Sequence, residues 1–174
     1  SVTVPREGTN NIKYDKRAEV FGRADVIPMW IADMDFPVAP FIAEAIIKRA
    51  EYPIYCYDFR PPGFFDAVTE WVKRRHGWEI CPDCICFSPG VVAGLVFGIL
   101  CSSEEGEGVV IQPPVYPPFA QVVKANNRKL VNNPLVMVNG RAEIDFEDLD
   151  RKLAGAKTFM FCNPHNPVGR VFTR

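Results

Sequence analysis

The chain has 174 residues, 48% of them hydrophobic and 24% charged, with a formal net charge of −1. That is about one domain of ordinary globular chain, and its scattered Lys and Arg argue against a nucleic-acid groove or a basic membrane-binding face. No apolar run approaches the ~18 residues of a membrane span and the N-terminus lacks a signal-peptide layout, so a cytoplasmic protein is expected.

Residues 1–25 are polar and without clear periodicity, and read as an arm. Residues 27–32 form a short apolar, strand-like run, followed by a turn at 33–40. From Pro40 onward Ile42, Ala45, Ile46 and Arg49 recur at helical spacing, with proline at the helix start. Residues 51–62 hold Pro53, Pro61 and Pro62 among aromatics and cannot be regular helix. Phe64, Phe65, Val68, Trp71 and Val72 make an apolar stripe that predicts a helix over 64–76, closed by Gly77.

Further strands are predicted at 84–87 and 109–111, and helices at 91–101 and 118–126. Runs at 129–131 and 136–138 flank an Asn-Asn-Pro break, a helix capped by Asp145 covers 145–153, and a last strand covers 157–162. Strands alternating with helices of about 10 residues predict an α/β fold: part of a three-layer, doubly wound, mostly parallel sheet preceded by an arm. The expected division is an arm over residues 1–40 and an incomplete domain over 41–174.

Cys81, Cys84 and Cys86 form a CxxCxC cluster with His76 nearby in sequence, the ligand types of a zinc site. Strand-like alternation would point Cys84 and Cys86 to one face, and reduced, partly buried thiols are the expected reading.

Three strand-to-helix junctions carry chemistry. Ser88-Pro89-Gly90-Val91-Val92 opens a helix, whose start presents unpaired N–H groups and a positive dipole end to an anion; an ordinary Pro-Gly turn is the alternative. Gln112-Pro113-Pro114-Val115-Tyr116-Pro117-Pro118 locks Tyr116 between prolines, suited either to stacking on a flat heteroaromatic ring or to packing on the core. Asn163-Pro164-His165-Asn166-Pro167-Val168-Gly169-Arg170 holds the Asn166 amide beyond a strand's carboxyl end, where open α/β sheets place ligands, or makes an Asx-type turn there. His165 and Arg170 receive no catalytic role and read as packing or loop-closing residues.

The last string resembles the Asn-Pro-x-Gly signature of pyridoxal-phosphate (PLP) enzymes of the aspartate-aminotransferase fold, fold type I. Trp30-Ile31-Ala32-Asp33-Met34-Asp35-Phe36 is similar to a block of the MalY/PatB-type, cystathionine β-lyase-like branch, and the resemblance runs from about Arg6 to Thr173. It implies that the amides of Val91 and Val92 meet the cofactor phosphate, that Tyr116 stacks on its ring and that Asn166 donates to its 3′-oxygen. It further implies that Tyr57 reaches the phosphate of a neighbouring subunit in a homodimer, and that Ala32 lies near the substrate carboxylate. Where the family usually has Gly-Tyr, this chain has Cys56-Tyr57. Asp33 and Asp35 read as cap and turn formers.

In that family the aspartate facing the ring nitrogen, the lysine that carries the cofactor and the arginine that binds the substrate carboxylate all follow Asn-Pro-x-Gly-Arg. The expectation is therefore a fragment of a PLP-dependent C–S β-lyase acting on cystathionine or related cysteine conjugates, colourless and inactive alone, without covalently bound PLP. A fragment of an amino-acid aminotransferase, a non-enzymatic scaffold or dimerisation piece, and a small zinc module are the alternatives.

Overall fold

The structure, a computed structural model, describes residues 4–173. Its contacts divide the chain into two units, residues 1–60 and 61–174.

The first unit holds α1 (Ile12–Asp15), α2 (Arg17–Phe21) and α3 (Pro40–Ala50). The polar arm is thus partly helical. Proline opens α3 where its missing N–H is no loss, and Lys48 and Arg49 lie in the last turn, where the helix dipole favours cations. No residue of α3 is buried. Instead of an apolar core, the unit encloses Lys13, 7% exposed and the one fully buried residue among those described here.

Lys13 Nζ donates to the Asp33 carbonyl at 2.8 Å and to Asp35 Oδ2 at 3.1 Å. The Arg6 guanidinium pairs with Asp33 and, at 2.5 Å, with Asp35. The Tyr14 hydroxyl donates to Asp35 at 3.0 Å and the Trp30 indole to the Lys13 carbonyl at 3.1 Å. Asp33 and Asp35 therefore fasten the arm, a role beyond capping and turn formation.

The strand expected at 27–32 is absent: Ile27 and Met29 are 86% and 92% exposed, and among the described residues of the first unit no strand lies alongside to pair with them. An apolar run becomes a strand only when a neighbour takes up its backbone groups.

The second unit opens with α4 (Pro62–His76), which ends at Gly77 as the sequence predicts. Its apolar stripe stays partly solvent-facing, with Trp71 52% exposed. The strand expected at 84–87 is also missing. Pro82 and Asp83 start a 3₁₀ turn, Pro82–Cys84, that takes up Cys84, and the residues after it join neither sheet among the described residues. Cys81, Cys84 and Cys86 are exposed free thiols, and among the described residues no three His, Cys, Asp or Glu side chains converge as metal ligands.

Then follow α5 (Val91–Ser102), β1 (Gly108–Ile111), α6 (Pro118–Ala125), β2 (Lys129–Asn132), β3 (Val136–Val138), β4 (Arg141–Glu143), α7 (Phe146–Leu153) and β5 (Thr158–Phe159). The sheet has the order β2-β1-β5, all parallel, with Val109 opposite both Leu130 and Thr158. β1 is buried along its whole length, as a central parallel strand requires. β5 is shorter than the apolar run 157–162, although the N–H groups of Lys157 and Met160 extend its ladder to the carbonyls of Gly108 and Val110, both at 2.9 Å. β3 and β4 form a separate antiparallel hairpin, in which β4 was not expected.

Ile99, Val109, Ile111, Phe119, Val122, Val123 and Met160 make the core. Each helix runs back along the sheet, so that its last turn adjoins the start of the next strand: α5 before β1, α6 before β2, α7 before β5. The hydroxyls of Ser102 and Thr158, last in α5 and first in β5, lie 2.6 Å apart. The opposite end of α5 is thereby directed toward the carboxyl-end rim. This is part of a doubly wound α/β fold with a mostly parallel sheet. No helix among the described residues is long and apolar enough to cross a membrane.

Candidate functional site

Val91 and Val92 open α5 behind Gly90, which has φ 141° and supplies no side-chain cap. At that φ a side chain would strain the backbone, and the space a Cβ would enter is empty. Ser88 does not cap the helix either: its hydroxyl donates to the Gly90 carbonyl at 2.8 Å and accepts from no amide of the first turn. The first intrahelical bond runs from the Gly94 N–H to the Gly90 carbonyl at 3.0 Å. The amides of Val91 and Val92 thus point out of a 12-residue helix without an intrahelical acceptor.

Tyr116 follows β1 through Gln112-Pro113-Pro114, and its side chain is 42% exposed. Asn166 follows β5 and sits in a loop closed at its base: the His165 N–H donates to the Arg170 carbonyl at 2.7 Å, and the Gly169 N–H to the His165 carbonyl at 2.8 Å. The Asn166 N–H donates to Cys162 Sγ at 3.4 Å, while its exposed carboxamide forms no hydrogen bond within the protein. The two loops are joined directly, because the Tyr116 N–H donates to the Asn166 carbonyl at 2.9 Å.

His165 is the residue sequence reasoning undervalued. It is 2% exposed, and its Nε2 lies 3.2 Å from the Gln112 carbonyl, joining the same two loops a second time. Its position between two Asn-Pro bonds was the available signal, since a loop held that rigidly aims each side chain it carries. Arg170 closes the loop and also donates to Glu143 of β4 at 2.8 Å. Behind them, Gln112 Nε2 donates to Asn133 Oδ1 at 2.9 Å, and Asn133 Nδ2 to Asp148 at 3.0 Å and the Asp145 carbonyl at 3.1 Å. That bond to Asn133 is the main reason the Asp148 carboxyl is held below its ordinary range.

Ala32 and Tyr57 belong to the first unit. Tyr57 is fully exposed and its hydroxyl forms no hydrogen bond. Cys56 is not among the residues with positive φ, so the backbone before Tyr57 does not require the missing glycine. Ala32 is exposed and stands between Ile31, which has the left-handed φ of 54°, and the Arg6-bound Asp33. A β-branched residue rarely holds such a φ without support from its surroundings.

Chemically, the second unit offers bare helix-start amides at Val91 and Val92 and, joined to each other beyond β1 and β5, an aromatic face and a free amide donor. Five lysines belong to the second unit. Lys73 lies in the last turn of α4 and pairs with Glu79, Lys124 and Lys152 lie in the last turns of α6 and α7, Lys129 opens β2, and Lys157 immediately precedes β5. By the connectivity above, the last four occupy the opposite rim.

Residues 24–174 match the family model for aminotransferase class I and II. The chain is 45% identical over 171 residues to cystathionine beta-lyase PatB of Bacillus subtilis, covering 97% of this chain and 44% of that protein. It is 33% identical to protein MalY of Escherichia coli, covering 99% and 45% respectively. The structure of cystalysin from Treponema denticola, which contains a pyridoxal 5′-phosphate cofactor, superposes with a TM-score of 0.91 at 31% identity over 100% of this chain and 45% of that one. The chain thus spans somewhat under half the length of the relatives it matches. With the family model covering all but its first residues, this chain belongs to the class I and II aminotransferase family.

Proposed function

We propose that this chain supplies the N-terminal half of a PLP-dependent enzyme that cleaves the C–S bond of cystathionine or a related cysteine conjugate. The observation that carries the reading is the link between Tyr116 and Asn166, an aromatic face and a free amide held together on the rim toward which the bare start of α5 is directed. The residues fit the cofactor by chemistry. Unpaired amides at Val91 and Val92 suit its phosphate, Tyr116 suits its planar ring, and the Asn166 carboxamide can donate to its acidic 3′-oxygen. When bound, PLP supplies an electron-accepting ring that weakens the bonds to the substrate's α-carbon.

Within that reading the chain's own residues bind and orient. Val91 and Val92 fix one end of the cofactor, Tyr116 sets its plane, and Asn166 places an N–H where negative charge grows, so that charge is stabilised without reorganisation. Tyr57 would add a hydroxyl to the phosphate of a neighbouring subunit in a homodimer, and Ala32 would border the substrate carboxylate. We assign residues 1–40 to an arm and 41–174 to the first half of the cofactor-binding domain. The lysine that carries the cofactor is placed outside this segment; Lys124, Lys129, Lys152 and Lys157 stand on the far rim, and Lys73 in α4 is paired with Glu79. The free cysteines suit a reducing, cytoplasmic setting.

Two preparations test this: the 174-residue chain and the full reading frame to which it is assigned. The full protein should bind one PLP per subunit, lose its visible band with borohydride, and release thiol, ammonia and pyruvate from cystathionine. The 174-residue chain should be colourless and inactive. Turnover by it alone overturns the placement of the lysine, and a full protein that exchanges amino groups without releasing thiol overturns the lyase assignment in favour of an aminotransferase.

A further inference from the structure

We infer that His165 is a positioning residue: through its Nε2–H it braces the Asn166 loop against the end of β1 and so sets the aim of Tyr116 and Asn166 together. The claim rests on the reading of the rim as a cofactor site, but its geometry stands apart from it.

The acceptor fixes the donor. The Gln112 backbone oxygen can only accept, so the ring nitrogen 3.2 Å from it carries the proton. Nδ1 is buried with no partner, so among the described residues the Gln112 carbonyl is the one polar contact of the ring. The ring is confined further by Phe172, whose plane stands at 87° to it with centroids 6.0 Å apart. Its backbone closes the loop on Arg170 and Gly169, so ring and loop move as one.

What the brace holds matters because Asn166 cannot hold itself. Its carboxamide has no partner in the protein, and its aim is inherited from the backbone. That backbone is tied to the Tyr116 loop by two bonds, the Tyr116–Asn166 amide bond at 2.9 Å and the His165–Gln112 side-chain bond. Only the second can be removed by substitution. Without it the buried Gln112 carbonyl loses its donor, and the two loops are left hinged on a single bond.

The test compares the full protein carrying His165→Phe, which keeps a ring but no donor, with His165→Gln, which keeps an N–H. Hydrogen exchange of segments 112–119 and 162–170, measured without PLP, is the first readout. The wild-type absorbance of bound PLP and its titration with pH form the second. H165F should speed exchange at Tyr116 about tenfold, the loss expected for one hydrogen bond, and should shift the cofactor's spectral titration; H165Q should restore both. Wild-type exchange in H165F overturns the inference, as does equal loss in both variants, which marks packing alone. If H165F does not fold, H165Q decides: wild-type exchange and titration support the brace, faster exchange removes it. A wild-type protein that binds no PLP but shows the predicted exchange pattern sinks the functional reading and leaves the brace standing.

Discussion

The backbone N–H of Tyr116 donates to the backbone carbonyl of Asn166 across 2.9 Å, although fifty residues separate them in sequence. Two loops that follow adjacent parallel strands are thereby locked in one register, while the side chain of each is left for something else. Tyr116 keeps an exposed ring face and Asn166 an unpaired amide. Both are open to solvent just beyond the carboxyl ends of neighbouring parallel strands, where open α/β sheets place ligands.

Asn166→Ala follows from this directly. The carboxamide contributes nothing to the fold, so thermal stability should stay within about 0.5 kcal/mol of wild type. Loss of the donor should lower turnover of the full protein about 100-fold, the scale seen when one preorganised donor to developing charge is removed. Melting curves and kcat measured side by side check both halves. A large fall in stability would show that the amide has a structural partner after all.

Tyr116 separates stacking from hydrogen bonding. Tyr116→Phe retains the ring, and PLP should bind with nearly wild-type affinity. Tyr116→Ala removes it and should weaken PLP binding about tenfold, the upper range of one aromatic pair. Fluorescence titration with PLP measures the two constants, and equal affinities for the Phe and Ala variants would exclude a stacking role.

Much of this was legible in the residues themselves. Helices α3 and α4 announced themselves through apolar spacing, with proline opening α3 and Gly77 ending α4, while α5 showed as an apolar run and α7 by its Asp145 cap. The cap is visible in the structure, where the Asp145 side chain accepts from the Asp148 N–H. The strands were harder. Residues 27–32 and 84–87 have strand composition, but hydrogen-bonded pairing is a property of two segments, and no partner reaches them among the described residues. β4, Arg141–Glu143, is too short and polar to show alternation, and it forms because β3 lies beside it. The burial of Lys13 was also hidden, since it depends on carboxylates twenty residues away. At the site, residue types suggested the roles of Tyr116 and Asn166, while the brace by His165 needed the distance to Gln112.

The arm network should respond to pH at both ends. The Arg6 guanidinium, foremost among the groups around them, holds the Asp33 and Asp35 carboxyls below the ordinary range, with Lys13 helping at Asp35. A lowered folded-state pKa means that this stabilisation is present above the unfolded value, about 4, and is lost as pH falls through the depressed values. Tyr14 is raised, first by partial desolvation and then by its bond to Asp35. Its contribution is present below about pH 10 and disappears as pH rises through the raised value. The arm should therefore be most protected between these limits, and less so in high salt, because the carboxylates are partly exposed. Limited proteolysis before residue 26 as a function of pH and salt reads this out. Cleavage independent of both, or unchanged by Arg6→Ala, would show that the ion pairs do not hold the arm.

Glycine-to-alanine changes in the second unit should have opposite signs at two positions. At Gly108, the first residue of β1, an added Cβ would lie 3.1 Å from the Gly155 carbonyl oxygen and 3.2 Å from Ala156 Cα. Those are backbone atoms, and they cannot retreat freely because the Lys157 N–H is bonded to the Gly108 carbonyl at 2.9 Å. Gly108→Ala must therefore separate the turn after α7 from the central strand, a crowding that costs about 1–3 kcal/mol. At Gly98, inside α5, nothing lies within 4 Å of the added carbon. There alanine removes only the conformational freedom of glycine in the unfolded chain, and the helix should gain about 0.5–1 kcal/mol. Urea unfolding of the two variants distinguishes a close approach at Gly108 from a general intolerance of the unit. If both destabilise, α5 packs against something not seen in this segment; if neither does, the turn at Gly155–Ala156 yields, and the start of β1 is not fixed by it.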